Sequence, residues 1–135
     1  MLGKPSIEFK VPYIPPSANK IYWINYNERR VYLSEEARNF KTAVKSFMPL
    51  WEVDPSVYLR FDISIYDNWY TKEGSVRKRD IQNLDKIIID ACCERLGIGD
   101  ERVWERTIRK LSDDKLKDGF TVVKIEIMEV NNVSR

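Results

Sequence analysis

Residues 79–101 read RDIQNLDKIIIDACCERLGIGDE, and the order of charged and apolar side chains in this stretch organises the chain. The stretch opens on a basic loop, continues as a helical pattern over residues 83–96, and closes on an acidic turn bounded by glycines. Helical spacing predicts a buried face made of Leu84, Ile87, Ile88 and Ala91. Gly97 follows the pattern and is expected to adopt the left-handed conformation that ends a helix.

Acidic side chains stand at both ends of this predicted helix. Asp80 precedes it, and Asp100 and Glu101 follow it. Its polar face carries Asn83, Lys86 and Asp90. A helix of about 14 residues is roughly 21 Å long, so its two ends do not meet directly. The acids share one site only if the chain folds back along the helix, or if neighbouring strand and loop ends bring them together.

These acids suggest a metal-dependent phosphodiesterase. Carboxylate oxygens without histidine or paired cysteine suit Mg²⁺ or Mn²⁺ rather than zinc. Such an ion activates water, and Lys86 could stabilise the negative charge that develops on a phosphoryl group. The adjacent basic residues Arg77, Lys78 and Arg79 would hold a polyanion. A structural interpretation stays open, because aspartates commonly cap helices and Lys86 could pair with Asp90 on the surface.

The composition limits the class of protein. The chain has 135 residues, enough for one domain, with 43% hydrophobic and 33% charged residues. Histidine is absent, which excludes a histidine base, a Ser-His-Asp triad and a histidine-rich zinc site. The net charge is only +2, so the distribution of charge must carry any interaction with nucleic acid. Cys92 and Cys93 are interpreted as buried small apolar residues.

No membrane segment is expected. No apolar run approaches the roughly 20 residues that a spanning helix needs. The N-terminus also lacks the apolar region of a secretory signal, so the expected location is cytoplasmic.

Two-residue alternation of apolar and polar side chains predicts the strands. It is clearest over residues 57–66, where Leu59, Phe61, Ile63 and Ile65 share one face. Other strands are predicted at residues 7–11, 30–33, 103–111 and 120–129. Residues 113–119 are expected to form a polar hairpin loop between the last two strands.

Another helix is expected earlier in the chain, where it would begin after Ser34 and end before Pro49. Its apolar face would consist of Ala37, Phe40, Val44 and Phe47. The elements together predict a single α+β domain over residues 1–135, with a mixed, largely antiparallel sheet and two main helices. Residues 131–135 are expected to fray.

Several surface residues allow both a structural and a functional interpretation. Tyr22, Trp23 and Tyr26 either cover a sheet edge or border a substrate cleft together with Asn19. Trp69 and Tyr70 lie at the base of a predicted mobile loop, where stacking on nucleic-acid bases is one use for them. The predicted helix after Ser34 carries a row of basic residues that either face solvent or bind a phosphate backbone. The row comprises Arg38, Lys41 and Lys45.

The motifs resemble those of the RusA-type Holliday-junction resolvases. The family signature is roughly Arg-Asp-x-Asp-Asn-x-x-Lys, then Asp-Ala, then a glycine and a paired acid before a valine. The chain has RDIQNLDK at residues 79–86, DA at 90–91, GI at 97–98 and DERV at 100–103. Upstream, PPSANKIY at residues 15–22 looks like the family's Pro-Pro-Ser-x-Asn element. RVYLS at residues 30–34, which leads into the helix with Arg38 and Lys41, is similar too.

The resemblance implies a homodimeric, Mg²⁺-dependent endonuclease that makes paired incisions in four-way DNA junctions during recombination and repair. By position, Asp80, Lys86 and Glu101 match the catalytic residues of the family. The implied metal ligands are Asp80, Gln82, Asp100 and Glu101, and Mn²⁺ is a possible substitute for Mg²⁺. The implied DNA-binding residues are Asn19, Arg38, Lys41, Arg77, Lys78, Arg79 and Asn83.

Gln82 departs from the family pattern, which has an aspartate at this position. An amide oxygen can ligate a cation, but it brings no charge and cannot act as a base. Asp85 and Asp90 are candidate compensating acids. The alternative function is therefore a catalytically weak or inactive relative that binds branched DNA without cutting it.

Overall fold

A computed structural model describes residues 5–17, 20–70, 72–76 and 84–128. The described residues form six strands and two helices, as expected for an α+β domain. The strands are β1 (Ser6–Val11), β2 (Tyr22–Asn25), β3 (Arg30–Leu33), β4 (Tyr58–Asp67), β5 (Val103–Ser112) and β6 (Phe120–Met128). The helices are α1 (Glu35–Phe47) and α2 (Leu84–Leu96), and a short 3₁₀ helix spans Asp100–Arg102. The sequence did not predict β2, whose aromatic residues gave no clear alternation.

Four strands form a mixed sheet in the order β1-β6-β4-β5. β6 is antiparallel to both β1 and β4, whereas β5 is parallel to β4. The predicted hairpin between β5 and β6 is therefore wrong, because the two strands lie on opposite sides of β4. A strand that follows β4 through a helix returns parallel to it, and β6 then occupies the other edge of β4. The predicted mixed, largely antiparallel sheet is confirmed.

The connection between β5 and β6 crosses the end of β4 at close range. The Asp113 amide donates to the Asp67 carbonyl at 3.1 Å. A Cβ atom at Gly119 would lie 2.7 Å from the Tyr66 carbonyl oxygen and 2.6 Å from Ile14 Cγ2. Only glycine leaves room for this crossing.

The core lies on one face of the sheet. Leu59, Phe61, Ile63 and Ile65 are fully buried, as their alternation predicted. They join apolar side chains of β1, β6 and both helices in one cluster. The opposite face is polar, and there Arg109 of β5 binds the Asp62 carboxylate and donates to the Ser64 hydroxyl at 3.0 Å.

Ser34 caps α1, as predicted, because its hydroxyl accepts a hydrogen bond from the Ala37 amide at 3.1 Å. Ala37, Phe40 and Val44 are buried, but Phe47 is 46% exposed. The prediction for Phe47 is therefore wrong; at the end of α1 the next residue, Met48, is buried instead, at 2% exposed. Stacking on bases, one of the two interpretations of Trp69, is not available to it because the ring is buried. Its ring is only 3% exposed, and its indole N–H donates to the Ile65 carbonyl at 3.4 Å.

Candidate active site

The end of α2 turns the chain back toward the start of the same helix. Gly97 has φ 70°, as predicted. The Ile98 amide donates to the Cys93 carbonyl at 3.1 Å and the Gly97 amide to the Glu94 carbonyl at 3.4 Å, which together form a Schellman cap. β5 then runs alongside α2 in the opposite direction. The fold thereby brings residues of β5 back toward the first turn of α2.

An ion pair marks how far β5 returns along α2. Arg106 Nε lies 3.3 Å from Asp85 Oδ2, although Asp85 belongs to the first turn of α2 and Arg106 to the fourth residue of β5. Asp85 is only 6% exposed. A carboxylate at a helix N-terminus is favoured by the helix dipole, and the guanidinium compensates for its burial. Asp85 is therefore engaged in holding β5 against α2.

A cavity of about 400 Å³ opens between α2 and β5. Three of the residues that line it are the predicted site residues Lys86, Asp90 and Asp100. The other lining residues are Ile89, Val103, Trp104, Glu105 and Arg106. Residues from the first turn of α2, its second turn and the 3₁₀ helix are thus brought to one place. The cavity is the candidate active site.

The electrostatics of the cavity are set by burial and by neighbouring charges. Burial raises the pKa of Asp90 above its ordinary value, and Asp100 and Glu94 add to this effect. The Lys41 and Lys86 ammonium groups oppose it. A carboxylate that is costly to ionise gains from a nearby cation, so this position favours positively charged ligands.

The donor atoms beside the cavity are oxygens. Burial raises the pKa of Cys93 to about 11, and the negative charges of Asp100 and Asp90 contribute. Cys93 is therefore a neutral thiol near pH 7, which is a poor metal ligand. Cys92 is fully buried and its pKa is raised by burial, in agreement with the predicted structural role of both cysteines. Carboxylate oxygens without thiolates fit a hard cation such as Mg²⁺ or Mn²⁺.

The acidic pair after α2 follows Gly99, where the absence of a side chain leaves room for the Glu101 carboxyl group. Glu101 is exposed, and its carboxylate folds back over the backbone of Gly99. A Cβ atom at Gly99 would collide with the Glu101 carboxyl group. Asp100 lines the cavity, whereas Glu101 is not among the described residues that line it.

The predicted site residues fall only partly within the described residues. Within residues 5–17, 20–70, 72–76 and 84–128, no group of three acidic, cysteine or histidine side chains converges closely enough to hold a metal ion. The predicted residues that lie outside these ranges are Asn19, Arg77, Lys78, Arg79, Asp80, Gln82 and Asn83.

Comparison with known protein families matches residues 12–128 to the family Endodeoxyribonuclease RusA. The matched segment covers most of the 135-residue chain and includes the whole candidate site. The chain belongs to the RusA endodeoxyribonuclease family. RusA-family enzymes resolve Holliday junctions and are generally metal-dependent. No curated protein sequence shows significant similarity to this chain. Among the described residues, no helix is long and apolar enough to cross a membrane.

The two predicted DNA-binding residues on α1 differ in their surroundings in this RusA-family chain. Arg38 is exposed. Lys41 Nζ lies 2.8 Å from Glu94 Oε1, and Lys45 Nζ lies 2.5 Å from Glu94 Oε2. Glu94 thereby ties α1 to α2, and DNA would compete with it for Lys41.

Sequence reasoning missed Trp104 and Arg106 at the RusA-family cavity. Both are exposed residues of β5, the edge strand of the sheet. Their charged and aromatic neighbours were interpreted as an irregular strand. Their position in the sequence could have indicated them, because Trp104 and Arg106 follow the acidic pair Asp100 and Glu101 by only a few residues.

Proposed function

We propose that this chain is a divalent-cation-dependent nuclease that makes paired nicks in four-way DNA junctions, in recombination and repair. The observation that carries the proposal is the cavity shared by Lys86, Asp90 and Asp100 within the RusA-matched segment. Paired nicking of two strands requires two sites, so we propose that the protein acts as a homodimer. The two cavities would then serve two strands of the junction.

The cation would be held by Asp80, Gln82, Asp100 and Glu101, with Asp90 as an additional acid at the cavity. Mg²⁺ fits this oxygen donor set, and Mn²⁺ fits it as well. When bound, the cation supplies Lewis-acid polarisation of the phosphodiester and lowers the pKa of a water molecule. Of the two candidate compensating acids, Asp90 is favoured over Asp85, because Asp85 is paired with Arg106.

The side chains of this chain would bind and orient the scissile phosphate. Lys86 lines the cavity and places a positive charge where the phosphate gains negative charge in the transition state. Asp80 and Glu101 would complete the catalytic set with Lys86. Backbone contacts to the DNA would come from Asn19, Arg38, Lys41, Arg77, Lys78, Arg79 and Asn83.

Nicking of a labelled four-way junction in Mg²⁺ or Mn²⁺ tests this function. Lys86→Met and Asp100→Asn are expected to lower the rate about 100-fold or more, since each removes a charge from the site. Lys115→Met and Asp114→Asn are matched controls in the exposed loop between β5 and β6, and they should leave the rate unchanged. Absence of nicking by the unmodified protein in both ions would overturn the proposal of an active nuclease.

Gln82 motivates the alternative, a branched-DNA-binding protein without cleavage. In that case junction affinity would fall steeply with salt, as phosphate-dominated binding does, and Asp80→Asn would not lower it. A Gln82→Asp variant that cuts where the unmodified protein does not would support this alternative. Equal nicking by both proteins would exclude it.

A further inference from the structure

β2 and β3 form a hairpin that stands apart from the main sheet. The two strands pair with each other, and neither joins the four-stranded sheet. The base of the hairpin is anchored to the start of α1. The Ser34 amide donates to the Ile21 carbonyl at 2.7 Å, and the Ser34 hydroxyl donates to the Lys20 carbonyl at 2.6 Å. A fixed base with an exposed body is suited to contacting a partner.

The strand register divides the hairpin into two different faces. Trp23 pairs with Tyr32 and Asn25 with Arg30, so these four side chains share one face, here termed the Trp23 face. Tyr22 pairs with Leu33 and Ile24 with Val31 on the opposite face. The opposite face is entirely apolar apart from the Tyr22 hydroxyl. The Trp23 face combines aromatic rings with a cation.

The Trp23 face presents accessible aromatic surface. The Trp23 and Tyr32 rings are stacked with centroids 5.0 Å apart and an interplanar angle of 24°. Trp23 nevertheless remains 47% exposed. The Tyr32 hydroxyl donates a hydrogen bond to the carboxylate of Glu28, which lies in the turn of the hairpin. This bond restrains the Tyr32 ring and gives the Glu28 carboxylate a partner. Trp23 is therefore the accessible ring of the pair, and the half-buried Tyr32 ring supports it.

Arg30 shares the face of these rings by register, and Arg29 precedes it in the turn. Arg30 and Arg29 are exposed, and within the described part of the chain neither forms an ion pair. Arginine is common at protein interfaces as well, but a twofold contact between two copies of this face would bring the same cations together, whereas guanidinium groups match phosphate groups geometrically. Charge complementarity thus favours a nucleic acid over a second copy of this chain at the Trp23 face.

We propose that the Trp23 face binds unstacked nucleotides at the branch point of the DNA substrate. Trp23 stacks on a base while Tyr32 supports its ring from the other side, and Arg29 and Arg30 contact the adjacent phosphates. A four-way junction offers such nucleotides where its strands exchange, whereas a continuous duplex does not. This inference rests on the proposed action on branched DNA and assigns to the hairpin a role in distinguishing the junction from linear duplex.

Equilibrium binding of the full chain without a divalent ion tests the inference separately from cleavage. Fluorescence anisotropy would compare a labelled four-way junction with a linear duplex of the same sequence. Trp23→Ala is expected to weaken junction binding about 5- to 150-fold, the range for losing one stacked base. Duplex binding should change much less, and Trp23→Phe should restore most of the junction affinity. Tyr22→Ala is the matched control, since it removes a similarly exposed aromatic from the opposite face.

The outcomes separate the two proposals. If the unmodified protein shows no preference for the junction over the duplex, both the proposed function and the inference fail. If it prefers the junction but Trp23→Ala keeps that preference, only the inference fails. The inference is also overturned if Trp23→Ala separates a dimer into monomers by light scattering, because the face would then bind a second copy. A 2-aminopurine base at the branch point, quenched by the unmodified protein and not by Trp23→Ala, would support stacking.

Discussion

At Asp90, the requirement of stability and the requirement of cation binding conflict. Burial raises the pKa of its carboxyl group, so the folded state holds the proton more tightly than the unfolded chain does. The stability contribution is therefore complete below the ordinary pKa of 3.8 and is lost as the pH rises through the raised value. At neutral pH the ionised carboxylate destabilises the fold while it offers a negative charge to a cation.

Asp90→Asn is expected to raise the stability of the protein at pH 7, because the amide has no ionisation cost. The difference from the unmodified protein should shrink as the pH falls below 3.8, where both side chains are neutral. Denaturant unfolding at a series of pH values measures this, with the exposed Asp114→Asn as the control. Lower stability of Asp90→Asn at pH 7 would show that attraction to Lys41 and Lys86 outweighs burial.

At the scale of elements, Glu94 connects the two helices through Lys41 and Lys45. Hydrogen bonds from Lys41 and then Lys45 hold the pKa of the Glu94 carboxyl below its ordinary value of 4.5. The ion pairs therefore contribute stability above that value and lose it as the pH falls through the lowered pKa. Because the Glu94 side chain is half exposed, solvent screening limits the contribution of these pairs.

Glu94→Gln is expected to lower the free energy of unfolding by about 0.2–1 kcal/mol at neutral pH and low salt. The loss should disappear in strongly acidic solution and shrink at high salt. The exposed Glu52→Gln provides a control of the same chemistry. A loss that persists at acidic pH would mean that packing, rather than charge, is the contribution of Glu94.

The crossing of the β5–β6 connection over β4 predicts an unequal effect of two glycine substitutions. Gly119→Ala is expected to destabilise the protein by about 1–3 kcal/mol, because its Cβ atom would meet backbone and an apolar side chain. Gly97→Ala has nothing within 4 Å of the new atom, and only the φ of +70° opposes it, at about 1 kcal/mol. Thermal unfolding compares the two variants. Equal losses would contradict the close approach at Gly119.

At the scale of the whole molecule, binding of a cation at the candidate site is expected to stabilise the folded protein. Mg²⁺ bound only by the folded state should raise the melting temperature as its concentration exceeds the dissociation constant. Asp100→Asn should reduce this shift, whereas Asp114→Asn should leave it intact. Measurement by thermal shift, with Na⁺ at matched ionic strength, separates specific binding from screening. An equal shift for the unmodified protein and Asp100→Asn would exclude Asp100 as a ligand.

Much of the fold follows from local patterns in the sequence. The alternation in residues 57–66 predicted the buried face of β4, and helical spacing predicted four of the buried residues of α2, but not Asp85 or Ile89. Ser34 and Gly97 predicted how α1 begins and how α2 ends. These predictions are confirmed because strand period, helix period and capping depend on residues that are neighbours in the chain.

The family motif predicted the site residues, but their meeting depends on the tertiary structure. Lys86 lies in the first turn of α2 and Asp100 follows the end of the helix, yet both line one cavity together with residues of β5. The Asp85–Arg106 pair that fixes this return joins residues 21 positions apart in sequence, and no local pattern indicates it.

The sequence by itself determined most of the elements, most of their buried residues and the family. The tertiary structure decided that β5 and β6 flank β4 instead of pairing, that Phe47 and the β2–β3 hairpin remain exposed, and that Asp85 is held by Arg106 while Asp90 faces the cavity. The physical reason is that hydrogen-bond partners between strands, and the charge that compensates a buried acid, are chosen among all parts of the folded chain. Local patterning is compatible with several such choices, and packing of the whole domain selects one.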